Sequence, residues 1–168
     1  WNLSQIPKKG ALWWFDSTTE SSVERAPSQK EQWMALDPQQ IFQKLRGPKG
    51  YTFASSHQGV FRRRRGLLWE PLKPFDKAYP MHLSGKGVLF VGDQVSFDQG
   101  DHFQPFIRWD RLVSGLSSEH HGAGARIQIL NVETQKRDPK KIILSLKVGD
   151  KKYLQMFSGD FGQNWRRL

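Results

Sequence analysis

Gly87-Val88-Leu89-Phe90-Val91-Gly92-Asp93-Gln94-Val95-Ser96-Phe97-Asp98 reads as two short apolar segments of strand length joined by a two-residue loop. Gly-Asp is the kind of pair that supplies the positive φ angles of a primed hairpin turn, so the stretch predicts an antiparallel hairpin. The same pair recurs at Gly149-Asp150, between Lys141–Val148 and Lys152–Phe157. Ile142, Leu144, Leu146 and Val148 alternate there with more polar positions, which is the period of a half-buried strand. Phe103–Val113 and Arg126–Val132 lie between the two hairpins and read as further strands, with Asp138-Pro139 turning the chain into the next one. Short strands at regular spacing predict a mainly β fold, a small antiparallel barrel or sandwich of five to seven strands.

Outward from that meander the signals change. The stretch over about 28–46 is predicted helical and broken once: Ser28 and Glu31 form a capping box for a first part to Leu36, and Asp37 as N-cap, Pro38 at the first helical position and Gly47-Pro48 as a stop bound the second. Tyr51-Thr52-Phe53, Val60-Phe61 and Gly66–Trp69 predict short strands, and Pro71, Pro74 and Pro80 exclude a central strand from 70–80. Residues 1–27 read as an extended, irregular arm, leaving 28–168 as one β-rich domain. The arm holds Ala11-Leu12-Trp13-Trp14-Phe15, whose apolar area calls for a core or a protein partner to cover it. The chain opens on Trp1, as expected of a fragment or processed form. Ser158 or Asp160 could cap a helix running through Trp165 and Arg166-Arg167, but the sequence after them is too short to support one. A strand meander followed by a helix resembles pleckstrin-homology and GRAM-like folds in arrangement, and no diagnostic motif accompanies it. That resemblance implies an adaptor for phosphoinositides or a protein.

Composition narrows the partner. With 168 residues, 26 Lys and Arg against 16 Asp and Glu, the net charge is +10. An excess of that size points to nucleic acid, an anionic membrane surface or an acidic protein. No apolar run approaches the ~20 residues that span a bilayer, and a soluble, intracellular protein is expected. Cysteine is absent, which removes disulfides, thiolate metal sites and thiol nucleophiles.

Arg62-Arg63-Arg64-Arg65 is the densest charge in the chain. Four guanidiniums cannot all face one side of a strand, so some must project outward, each with planar donors that match phosphate oxygens. The alternative is pairing with Glu70, Asp76 or Asp98. Lys136, Arg137, Lys140, Lys141 and Lys147 form a second basic group; Lys151-Lys152 at a hairpin turn read equally well as protection against edge pairing. Phe61, Trp69, Phe103 and Trp109 are candidate stacking surfaces for unpaired bases, against a core role for each. Catalytic residues, metal and cofactor are not expected. Glu119 with His120-His121 lacks further ligands at metal spacing. A magnesium-dependent nuclease built on Asp93, Asp98, Asp101 and Asp110 ranks last. The leading expectation is a non-catalytic subunit that binds RNA or another single strand within a nucleoprotein assembly. A lipid-binding or protein-binding adaptor comes next, with peripheral contact to an anionic membrane, and then a structural subunit of a larger complex.

Overall fold

A computed structural model describes residues 33–116, 126–150 and 152–168. Among them the chain forms twelve strands and one helix. The first sheet holds β1 (Ile41–Arg46), β2 (Thr52–Ser56), β3 (Gly59–Arg63) and β4 (Glu70–Leu72). The second holds β5 (Met81–Leu83), β6 (Leu89–Val91), β7 (Gln94–Ser96) and β8 (Gln104–Pro105). The third holds β9 (Ile127–Gln135), β10 (Asp138–Val148), β11 (Lys152–Ser158) and β12 (Arg166–Arg167). Each sheet is an antiparallel meander in chain order, and none closes on itself, so the expected barrel is corrected to three separate four-stranded sheets. The helix α1 (Trp109–Ser114) lies between the second and third sheets in the chain.

Both Gly-Asp hairpins form, with Phe90 opposite Val95 across a two-residue loop and Val148 opposite Lys152 across a three-residue one. One core joins the sheets. Phe53, Leu72, Leu89, Phe90, Ile142, Leu144, Leu146 and Met156 are fully buried in it, and the inward alternation along β10 matches the period-two pattern of its sequence.

Three expectations fail for identifiable reasons. The helix over 28–46 is not formed by its described part. Asp37 does cap a turn, accepting the Gln39 N–H on its side chain, but that turn is a single 3-10 turn over Pro38–Gln40. Ile41, Gln43 and Leu45 then alternate inward as β1, and pairing with β2 outweighs local helix propensity. The Phe103–Val113 strand is reduced to β8, and Trp109 begins α1. There its indole N–H donates to the buried Asp93 carboxylate, which also accepts from Gln94. Gly66–Leu68 is a turn, not a strand. Residues 159–165 connect β11 to β12, and no helix starts at Ser158 or Asp160. The arrangement shared with pleckstrin-homology folds loses its closing helix.

The first strands of the sheets bring the three meanders together. The side-chain amide of Gln43 in β1 donates to the Met81 carbonyl of β5 at 2.6 Å and accepts the Met81 N–H at 2.8 Å, replacing a backbone bridge. From β5, His82 Nε2 meets Thr134 Oγ1 of β9 at 2.8 Å.

Candidate polyanion-docking surface

In an up-and-down meander the first and third turns of a sheet lie at the same end. Contacts between sheets put the three first turns together as well. A Cβ on Gly87 would meet the Pro48 ring at 2.9 Å, and one on Gly85 would meet the Lys136 carbonyl oxygen at 2.6 Å. The turns at 47–50, 84–87 and 136–137 are therefore neighbours at one pole of the molecule. Lys49, Lys86, Lys136 and Arg137 stand on them, all exposed. The β3–β4 turn, which carries the arginine run, projects from the same pole.

That turn has two counterparts. Gly66, Gly100 and Gly162 occupy equivalent places in the β3–β4, β7–β8 and β11–β12 turns, with φ of 80°, 91° and 82°. Three residues after each stands a buried aromatic, Trp69, Phe103 or Trp165. Four residues before each stands a buried polar side chain, Arg62, Ser96 or Ser158. In the second and third sheets the turn is closed from within. Ser96 Oγ accepts the Gly100 N–H at 2.7 Å and donates to Asp98; Ser158 Oγ accepts the Gly162 N–H at 2.8 Å and donates to Asp160. Asp98 accepts the His102 N–H and holds its ring, as Asp160 accepts the Asn164 N–H and holds its amide.

In the first sheet arginines replace the serine and the aspartate. Arg62, only 4% exposed, donates to Glu70 Oε2 at 2.7 Å, to the Gln99 carbonyl at 2.8 Å and to Asp101 Oδ1 at 2.6 Å. It anchors its own turn to the neighbouring one, and its guanidinium is unavailable to a partner. Pairing with Glu70 therefore holds at Arg62, with Asp101 in the place of Asp76 or Asp98. Arg63 is half-buried and lies over the Trp69 ring at 4.5 Å. Arg64 is exposed, 5.6 Å from the Tyr51 ring centre, and Arg65 is exposed. Among the described residues none of Lys49, Arg63, Arg64, Arg65, Lys86, Lys136, Arg137, Lys140 and Lys141 takes part in an ion pair.

The remaining candidates are divided. Lys140 and Lys141 are exposed near the start of β10, beside the same pole, where the Lys140 carbonyl accepts the Phe161 N–H. Lys147 lies seven residues further along the strand than Lys140, roughly 23 Å away, and stands apart. Phe61, Trp69, Phe103 and Trp109 are all buried, at 2–6% exposure, and offer no ring to a base. The carboxylates considered for a nuclease are dispersed: Asp93 in the core, Asp98 in its turn, Asp101 on Arg62, Asp110 paired with Arg108. Glu119, His120, His121, Lys151 and the aromatic arm lie outside the described residues. Sequence reading missed Lys49 and Lys86. Each is a lone lysine between turn-forming residues, Pro48-Lys49-Gly50 and Gly85-Lys86-Gly87, and the turn signals were the trace they left.

Among the described residues no helix is long and apolar enough to cross a membrane. No protein-family model, curated protein or solved structure matches the chain.

Proposed function

We propose that the protein is a non-catalytic module that docks a phosphate-bearing polyanion on the pole where its hairpin turns meet. The observation that carries this reading is the convergence of Lys49, Lys86, Lys136 and Arg137 with the arginine turn, without an ion pair among them in the described residues. The turns that carry these cations are already fixed in one β scaffold, so only the side chains have to be ordered by the partner, which lowers the entropic cost of binding. Guanidiniums lying over Trp69 and Tyr51 keep donors free for phosphate while their flat faces are already packed.

Nucleic acid and an anionic membrane are the phosphate surfaces broad enough to meet several turns together. For nucleic acid the burial of Phe61, Trp69, Phe103 and Trp109 leaves the phosphates as the main contact, so binding would depend only weakly on base sequence. The reading is tested by fluorescence anisotropy with labelled single-stranded RNA and with a phosphorylated inositol headgroup at low and physiological salt. Affinity is expected to fall steeply with salt, and Arg63→Gln/Arg64→Gln/Arg65→Gln to reduce the logarithmic salt slope for the single strand by about two. Absence of binding to either probe at low salt overturns the reading.

A further inference from the structure

The arginine turn differs from its counterparts in a second way, at the two residues that follow its glycine. In the β7–β8 turn these are Asp101 and His102, and in the β11–β12 turn Gln163 and Asn164. In the arginine turn they are Leu67 and Leu68, 82% and 48% exposed. Two leucines held in water at places that the fold elsewhere gives to polar residues mark a contact surface, not a packing need. A third apolar side chain stands at the same pole. Phe97, 56% exposed, belongs to the turn that Arg62 grips through Gln99 and Asp101.

On these grounds we infer that the physiological polyanion is the anionic lipid surface of a membrane, entered by Leu67, Leu68 and Phe97 while Arg63, Arg64 and Arg65 hold lipid phosphates. The inference rests on the docking reading above and names its partner. A bilayer interface offers phosphate oxygens and, a few ångströms beneath them, hydrocarbon; a turn that sets two exposed leucines directly after its guanidiniums matches both layers at once. A nucleic-acid backbone offers the phosphates without the apolar layer, and would leave the leucines with no partner. The surrounding lysines add attraction to the charged surface that salt screens.

The test uses the chain with vesicles of phosphatidylcholine alone and of phosphatidylcholine mixed with phosphatidylserine, in co-sedimentation, alongside single-stranded poly(U). Binding is expected to the mixed vesicles and to be weak with phosphatidylcholine alone. Leu67→Ser/Leu68→Ser should lower vesicle affinity by roughly tenfold or more and leave poly(U) binding unchanged. Because both leucines are solvent-exposed, the variant is expected to fold, and circular dichroism checks this. The chain has no cysteine, so Leu67→Cys with an environment-sensitive dye reports entry directly; a blue shift on adding mixed vesicles is expected. Full vesicle affinity in the double-serine variant, or an unshifted dye, overturns membrane entry while docking stands. Binding to poly(U) with no binding to either vesicle also overturns it, in favour of nucleic acid. Failure with every probe at low salt removes the docking reading itself.

Discussion

The β3–β4 turn and the β11–β12 turn share a backbone plan and use it oppositely. Ser158 and Asp160 satisfy the amides of their own turn, and the turn is sealed against the segment leading into α1: Gly162 accepts the Arg108 N–H on its carbonyl, and its Cα packs on the Phe106 carbonyl. The arginine turn keeps the positive-φ glycine and the buried aromatic but takes its support from outside, through Arg62. Its tip is left open, with nothing within 4 Å of where a Cβ on Gly66 would be. A turn closed by its own hydrogen bonds has no polar groups to spare for a partner. A turn held at its base by one buried ion pair can present everything beyond that base.

The largest expected effect compares the equivalent glycines. Gly162→Ala drives a methyl into the Phe106 carbonyl oxygen at a φ that L residues disfavour, and backbone cannot give way as a side chain would. A loss on the order of 4 kcal/mol is expected in denaturant unfolding. Gly66→Ala, at nearly the same φ but in open space, should cost only about 1 kcal/mol, the backbone penalty alone. Equal losses would mean that the two turns are equally packed and that the contrast between them is false.

Next in size is the anchor. Arg62→Ala removes the cation from a buried pair in which both side chains are less than a tenth exposed, and leaves the Glu70 carboxylate without it. About 3 kcal/mol is expected, at the low end of such losses because Asp101 on the far side remains half in water. Chemical denaturation measures the loss. Near-wild-type stability would show that the turn supports itself as its counterparts do, and the division of labour between Arg62 and Arg63–Arg65 would fail.

That division explains how much of the molecule could be read in advance. The Gly-Asp hairpins and the inward row on β10 were legible because a turn pair and a period of two are local signals. The core role weighed for Phe61 and Trp109 holds, but alternation along a strand was the wrong reason for Trp109, which begins α1. The region 41–46 was not, because Ile41, Phe42 and Leu45 fit a helical stripe as well as Ile41, Gln43 and Leu45 fit a strand, and β2 decides between them. For the site, the run Arg62–Arg65 was visible as charge, yet its split into one structural and three outward arginines depends on Gln99 and Asp101, which lie 37 and 39 residues away. The threefold recurrence of the turn also escaped notice. Ser-x-Asp-x-Gly at Ser96 and Ser158 is a short pattern, and in the first sheet arginine obscures it.

The smallest effect probes the two internally closed turns against each other. For Asp98, partial burial pushes the carboxyl pKa up, but hydrogen bonds from the His102 backbone, the His102 ring and Ser96 together outweigh it, and the net shift from 3.8 is downward. For Asp160 the Asn164 side-chain amide and backbone N–H exceed the opposing burial, and the net shift is again downward. A carboxylate whose folded pKa is lowered contributes stability that is fully present above its unfolded value and is lost as pH falls through the folded value. Acidification below about 3.8 should therefore loosen both turns, and only slightly, since Asp98 is 41% exposed and water replaces much of what is lost. Amide exchange resolves an effect of this size. Protection should fall at His102 and Asn164, whose N–H groups are accepted by the carboxylates, before it falls at Gly100 and Gly162, whose N–H groups are accepted by serine hydroxyls that do not titrate. Simultaneous loss at all four amides would mean that each turn opens as a unit and that the aspartates hold no separate share of it.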